Sequence, residues 1–438
     1  MFNIHNVEEK INIYKMENKV ILFNVQNIQW DILTYEEYEL YKKSIQHKTF
    51  DMDEETRKLF MKLLVRGIIN FDSMDELQIK SADEHLGLPM TVYYEPTPYC
   101  NLNCVYCYAQ ACTSKDIHCC TGDSIKILEK IMEYPNVKTI VFTGGEPLLR
   151  NDCLELAEYV YQKKGIRPCI LTNGLLINEK NVNQFKIFDR VTISLDGHVS
   201  GIHEATRGKY TFNKVVDSIK LLKKQGVNVA VTTVVSKINQ EYVTQIMDFV
   251  KNDLGIEHHN MSTHISFGRG VDSKIECSQG ELKRYRDTYF NHLCETTSEE
   301  IETLLRPNIK RGEYRNGCGA GCGEIFIKDN GETYPCRLFI DEKYYLGNLK
   351  ENSLENIVKS KILQDIKKTF EVNQIESCRN CNYKNICGGG CRSVHAAYTG
   401  SVEKSSEVLC NMLKNEIDSA IIIQSGFNPK TRKELKSK

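Results

Sequence analysis

Between Met90 and about Arg269 the chain alternates short apolar runs with amphipathic stretches, and no other feature narrows its fold so far. The apolar runs are Met90 to Glu95, Thr139 to Thr143, Pro168 to Thr172, Arg190 to Leu195, Asn228 to Val235 and His258 to Phe267. Helical periodicity falls near Ser124 to Glu133, Asp152 to Lys163, Phe212 to Lys224 and Glu241 to Asn252. Six strands alternating with helices predict a parallel sheet. The expected class is α/β, a partial or full barrel of the (β/α)6 TIM type whose functional loops follow the strand C-termini.

The first of those loops carries Cys100, Cys104 and Cys107 at C-x3-C-x2-C spacing. A cubane [4Fe-4S] cluster takes four thiolates, so three protein ligands leave one iron for a ligand that is not protein. The chain has 18 Cys in 438 residues, and chance alone supplies roughly 0.03 such triplets. Later strand ends carry Gly144-Gly145-Glu146, Thr172-Asn173-Gly174 and Ser194-Leu195-Asp196-Gly197, followed by His203 and Arg207. Each alone reads as a polar turn; together they line one rim, offering backbone, hydroxyl, carboxylate and guanidinium groups.

Composition excludes some partners. With 57 Lys and Arg against 58 Asp and Glu the formal net charge is -1, which argues against a chain built to hold nucleic acid or an anionic membrane surface. The first residues are too polar for a secretory signal, and no apolar run approaches the roughly 18 residues of a membrane span. A cytoplasmic protein is expected, in which organised cysteines are metal ligands before they are disulfides. The basic run from Pro429 to Lys438 reads as a solvated tail.

Two further regions flank the barrel. In residues 1–85, Val20 to Val25 reads as a strand and Thr34 with Glu37 as a capping box opening a helix to about Gln46. A second helix runs from about Glu54 to Arg66, stopped by Gly67, and Ile68 to Phe71 returns as a strand. Residues 311–415 hold Cys318, Cys322, Cys336, Cys378, Cys381, Cys387, Cys391 and Cys410, with a C-terminal helix and tail over 416–438. Eight thiolates suffice for two cubanes, and zinc is the rival because C-x2-C is also zinc-ribbon spacing. Of the other cysteines, Cys153 and Cys169 read as small buried hydrophobes, and Cys112, Cys119, Cys120, Cys277 and Cys294 are given no role. His258, His259 and His264 lie on the sixth strand and read as structural.

The cysteine triplet with Tyr106 before its last cysteine, the Gly-Gly-Glu-Pro stretch and the Ser-Leu-Asp-Gly stretch, in that order, resemble the radical S-adenosylmethionine (SAM) enzymes over about Met90 to Arg269. The resemblance implies that Cys100, Cys104 and Cys107 hold a [4Fe-4S] cluster. It also implies that Gly144, Gly145 and Glu146 receive the SAM amino group, that Ser194 and Arg207 contact ribose and carboxylate, and that a 5'-deoxyadenosyl radical abstracts hydrogen. The downstream cysteines resemble the SPASM extension of peptide-modifying members. That implies two auxiliary clusters, a nearer one on Cys318, Cys322, Cys336 and Cys391 and an outer one on Cys378, Cys381, Cys387 and Cys410. With SAM, three [4Fe-4S] clusters are the expected cofactors. Cys322 is the least secure ligand, and without it the near cluster has an open iron.

The N-terminal region resembles, in pattern only, the small winged-helix-like module with which enzymes of ribosomal peptide maturation pair a leader peptide; a structural cap over the barrel's open side is the other reading. The expected function is a radical SAM maturase of a ribosomal precursor peptide, served by an electron donor such as flavodoxin or ferredoxin and forming a Cys thioether. Carbon–carbon cross-linking or anaerobic sulfatase-type Ser or Cys oxidation stand behind it. Relatives of the sulfatase-oxidising kind place an Asp just after the near-cluster cysteine, where this chain has Arg337. The alternative from another class is a non-catalytic zinc-ribbon binding protein.

Overall fold

The computed structural model describes residues 10–47, 53–69, 90–111, 119–163, 165–296 and 314–427. The N-terminal part is a three-stranded antiparallel sheet, β1 (Ile11–Lys15), β2 (Val20–Asn24) and β3 (Gln29–Leu33), in the order β1-β2-β3. Two helices follow, α1 (Tyr35–His47) and α2 (Glu54–Val65). Only β2 was expected from the sequence. It is apolar up to Asn24 and buried at every position, whereas β1 and β3 mix polar residues into half-buried runs that carry a weak signal. Ile68 and Ile69, expected to open a strand, lie in a bend, and residues 70 and 71 are outside the described residues.

Helix starts follow their local chemistry. Thr34 and Glu37 form a reciprocal capping box, the Thr34 N–H donating to Glu37 Oε2 at 2.8 Å and the Glu37 N–H to Thr34 Oγ1 at 3.1 Å. Asp53 caps α2 by accepting from the Thr56 N–H at 2.7 Å. Gly67, at φ +69°, ends that helix in a conformation few other residues tolerate.

The central part is the expected α/β arrangement: β4 (Met90–Thr97), α3 (Thr121–Met132), β5 (Val137–Gly144), α4 (Cys153–Tyr161), β6 (Arg167–Thr172), β7 (Arg190–Ser194), α5 (Ser200–Arg207), α6 (Phe212–Lys224), β8 (Val229–Val235), α7 (Val243–Asp248), β9 (His258–Thr263) and α8 (Gln279–Thr296). Strands β4 to β9 pair in parallel and in sequence order. Val92, Tyr94, Ile140, Phe142, Ile170 and Val231 point to the helices and meet Leu128, Leu156, Ile219 and Leu222 in one core. Alternation then turns Tyr93, Glu95 and Ser194 toward the other face, the lumen. Two details depart from expectation: α5 was not anticipated, and β9 stops at Thr263, short of Phe267.

The sheet does not end at β4. Strand β10 (Glu324–Lys328) pairs with it in parallel, and β11 (Glu332–Tyr334) and β12 (Gly347–Asn348) extend it to nine strands. The partial (β/α)6 barrel and the Cys-rich region therefore share one sheet. Helices α9 (Lys361–Thr369), α10 (Arg392–Thr399) and α11 (Glu407–Gln424) follow. Among the described residues no helix is long and apolar enough to cross a membrane.

The N-terminal sheet packs one face on α1 and α2 and the other on α11. Tyr14, Ile21, Phe23 and Trp30 interleave with Ile417, Ala420 and Ile421, while Val20, Leu22 and Leu33 meet Tyr38, Leu59 and Leu63. Tyr14 and Tyr383 both donate to Asp418 Oδ1, at 2.6 and 2.7 Å. Among the described residues these contacts dock the module on the C-terminal helix. Truncating Ile421, which is fully buried, to Ala is expected to lower stability by about 2–5 kcal/mol, read by urea unfolding. An unchanged midpoint would mean that this seam does not hold the ends of the chain together.

Candidate cluster and cofactor site

Cys100, Cys104 and Cys107 lie in the loop that leaves β4. The loop is held through its backbone, which leaves the sulfurs available. Arg269 donates three times, from its N–H to Cys107 O at 3.1 Å, from Nε to Cys104 O at 3.1 Å and from Nη1 to Ala111 O at 3.0 Å. Gly268, at φ +55°, lets this approach happen, because a Cβ there would stand 2.5 Å from Cys107 O. Nothing in the local sequence marks Arg269, which arrives from beyond β9. Burial pushes the Cys100 thiol up to about 12 and that of Cys104 upward, the latter against the nearby Arg207. Thiolate ligation would therefore release protons as the site loads.

The rim beside the loop is organised by Asp196, which has no solvent exposure. Its carboxylate accepts from Arg207 Nε at 2.8 Å, Thr206 Oγ1 at 2.9 Å, the Val234 N–H at 3.0 Å and the Tyr106 hydroxyl. Burial alone would raise its pKa; Arg207, Tyr106 and Val234 outweigh that and hold it below the ordinary carboxylate range. The Arg207 guanidinium, expected to fork onto a cofactor carboxylate, forks here onto Asp196 and lies 5.5 Å from the centre of the Tyr106 ring. Tyr106 also meets the His264 ring edge-on at 6.4 Å. His259 bonds Thr233 Oγ1 at 2.8 Å.

Glu146 differs from expectation in the same way. Its Oε1 accepts from Thr172 Oγ1 at 2.7 Å and the Leu148 N–H at 3.2 Å, and its Oε2 from the Asn173 N–H at 2.7 Å. Burial raises its pKa to about 6. The side chain ties β5 to the end of β6, and the Gly144–Gly145 backbone faces the cysteine loop instead. A Cβ on Gly145 would lie 2.0 Å from Tyr99 O, and one on Gly144 2.3 Å from Glu95 Cγ. Ser194 ends β7 on the same rim, paired in register with Thr232.

The downstream thiols sort into groups by what surrounds each. Burial, then Cys391, raises Cys318 to about 11. Burial raises Cys336, with Glu324, Cys318 and Cys391 adding to it. Burial lifts Cys387 to about 12, helped by Cys378, Cys410 and Cys381. Cys322 stands apart from both groups. Gly321 abuts Leu363 of α9, where a Cβ would lie 2.4 Å from Leu363 Cδ1. Burial raises the Cys322 thiol, and the charge of Lys367, one turn on along α9, opposes the rise. Among the described residues no three His, Cys, Asp or Glu side chains converge as a single metal ion requires; a cubane spreads its thiolates over separate irons.

The donor set fits an iron–sulfur cluster with an exchangeable iron, and known proteins agree. Residues 94–250 match the Radical SAM superfamily, and residues 318–382 match the SPASM iron-sulfur cluster-binding domain. This chain carries a Radical SAM domain followed by a SPASM domain. The chain is 28% identical over 342 residues to the antilisterial bacteriocin subtilosin biosynthesis protein AlbA of Bacillus subtilis, covering 77% of this chain and 74% of that one. It is 26% identical over 335 residues to the AdoMet-dependent heme synthase of Methanosarcina barkeri, covering 71% and 93%. The fold is similar to that of Streptococcus suis SuiB bound to its precursor peptide SuiA, with TM-score 0.58, 18% identity and coverage of 93% and 99%. A radical SAM domain binds SAM at a [4Fe-4S] cluster.

Several cysteines stand outside these groups. Cys153 is buried in the barrel core and Cys169 lies within β6. Cys119 donates its N–H to Asp329 at 2.7 Å, and its sulfur accepts from Lys350 at 3.7 Å. Cys120 precedes α3 and is exposed, and Cys277 is buried. Cys112 and the basic tail from Pro429 to Lys438 lie outside the described residues.

Proposed function

We propose that this protein is a cytoplasmic maturase of ribosomally made precursor peptides, holding three [4Fe-4S] clusters and joining a cysteine sulfur to carbon as a thioether. The observation that carries this reading is the grouping of the thiols. Three stand on the loop after β4, three (Cys318, Cys336, Cys391) at the neighbouring sheet edge, and four (Cys378, Cys381, Cys387, Cys410) beyond. A ligand set of four, two sets of three and intervening lumen suit a pathway that takes electrons away from a substrate held between clusters. Relatives add support: AlbA is named for bacteriocin biosynthesis and SuiB was solved with a precursor peptide. Arg337 in place of a carboxylate after Cys336 speaks against sulfatase-type oxidation, which needs a base there.

Cluster-bound SAM supplies a hydrogen-abstracting radical when present. When bound, it would be held by the Gly144–Gly145 backbone and Ser194, while Glu146 and Arg207 would brace the loops that carry those groups. The edge of β3 receives an extended leader segment by backbone pairing, and a flavodoxin or ferredoxin supplies electrons.

In the near cluster, Cys318, Cys336 and Cys391 are the ligands and Cys322 is not. Cys322→Ala should retain the iron content of the parent protein. Cys336→Ala should lose about four irons per chain. Equal losses in iron analysis would return Cys322 to the ligand set.

Co-expression with a short Cys-bearing peptide encoded beside the gene tests the whole reading. Mass spectrometry should find two hydrogens lost and one fewer alkylatable thiol. A peptide with two hydrogens lost and an unchanged thiol count would mean a carbon–carbon product, and a peptide of unchanged mass would overturn the assignment.

A further inference from the structure

Arg392 has no solvent exposure, and it follows Cys391 directly at the start of α10. Its guanidinium is held by neutral oxygens. Nε donates to Val402 O at 2.9 Å, Nη1 to Gly389 O at 2.5 Å and to Ser405 Oγ at 3.4 Å, and Nη2 to Lys404 O. Gly388, Gly389 and Gly390, the turn between Cys387 and Cys391, all take left-handed φ, at +63°, +76° and +67°, so the Gly389 acceptor is built into a backbone that other residues resist. These partners fix the cation in place and bring it no negative charge. Among the described residues no carboxylate pairs with it.

Its electrostatic partners are the thiols. Burial presses the Arg392 pKa down, and Cys378, Cys318, Cys410 and Cys391 oppose that in descending order. Cys378 and Cys410 belong to the outer group, Cys318 and Cys391 to the near one. The influence is mutual, since Arg392 eases the rise that burial imposes on Cys410, and its backbone N–H eases that on Cys318. Contacts run the same way. The Ser405 hydroxyl that accepts from Nη1 lies 4.0 Å from Cys378 Sγ, and Cys391 Sγ meets the hydroxyl of buried Ser393 at 3.2 Å. His395, one turn further along α10, adds no charge at neutral pH, because burial, then Arg392, pushes its pKa down to about 4.

A buried cation is costly without an anion. A cubane with its thiolates is an anion, and its net charge is one of the levers on its potential. We propose that Arg392 is the shared counter-ion of the two auxiliary clusters, a fixed charge between them that raises both reduction potentials together. This rests on the three-cluster reading above and names how electrons are drawn through those clusters. Arg392 offsets the charge of the electron that leaves the substrate radical as the new bond closes, first on the near cluster and then on the outer one, before an oxidised carrier protein takes it away.

The test is a redox titration of the anaerobically reconstituted holoprotein, followed by electron paramagnetic resonance, with iron counted in each variant. Arg392→Gln should lower the reduction equilibrium constant of both auxiliary clusters by about tenfold, or about 59 mV for a one-electron couple, while the SAM cluster keeps its potential. Arg392→Lys, which keeps the charge, should stay nearer the parent. If Arg392→Gln loses auxiliary iron and Arg392→Lys keeps it, the cation is needed to hold the clusters at all, and the proposal stands. Loss of that iron in both variants makes Arg392 a packing residue and overturns it. Unmoved auxiliary potentials, a shift confined to one auxiliary cluster, or an equal shift of the SAM cluster does the same. The two readings fail separately: a parent protein that assembles the SAM cluster alone sinks the three-cluster reading, whereas three clusters whose potentials ignore Arg392 sink this inference alone.

Discussion

Replacing Cys100, Cys104 and Cys107 together with Ala is expected to abolish reductive cleavage of SAM, a loss without measurable remainder, while the auxiliary iron–sulfur absorption persists. The expectation follows from the division of labour in the fold. The three sulfurs stand on one loop, fixed by the carbonyl contacts of Arg269 rather than by their own packing. Their removal takes the ligands away and leaves the scaffold. The SPASM thiols belong to other elements and have neighbours of their own. Measuring 5'-deoxyadenosine after dithionite reduction, with iron counted in parallel, separates the outcomes. Residual cleavage would place the SAM cluster elsewhere, and loss of all iron would mean that the clusters assemble interdependently.

The second large effect is at Asp196. Asp196→Ala leaves Arg207 buried with its counter-ion gone, along with orphaned donors on Val234 and Tyr106. Breaking a buried pair from one side costs about 3–5 kcal/mol. The same network underlies a pH response. Because the folded state holds the Asp196 pKa below its ordinary value, its contribution is fully present above the unfolded value and is lost as pH falls through the folded one. Urea unfolding of the parent should weaken in acid, and the Asp196→Ala variant should show a shallower decline over that window. A variant as stable as the parent near neutral pH would remove Asp196 from the centre of the rim.

Local signals carried far in this chain. The capping box at Thr34 and Glu37, the Glu54 to Arg66 helix with its Gly67 stop and all six barrel strands were legible because each rests on residues within a turn or a strand of one another. The edge strands β1 and β3 were not, since their residues Tyr14 and Trp30 pack on the α11 face, hundreds of residues away in sequence. The site divides along the same line. The cysteine triplet and the rim motifs were readable as donors, but Arg269 was invisible as their clamp because its partners are carbonyls, which any residue has.

Residue type and spacing alone determined the class of chemistry: three thiols after a first strand, glycine and polar turns after later ones, and eight more thiols in an organised series. Which of those groups face one another was decided only by the tertiary structure. The packing of α9 brings the charge of Lys367 near Cys322, and the end of β6 takes up Glu146. Asp196 takes up Arg207, and the pairing of β10 with β4 accompanies the stacking of Arg337 on Tyr93. Side-chain direction depends on such long-range packing, which short-range periodicity does not encode.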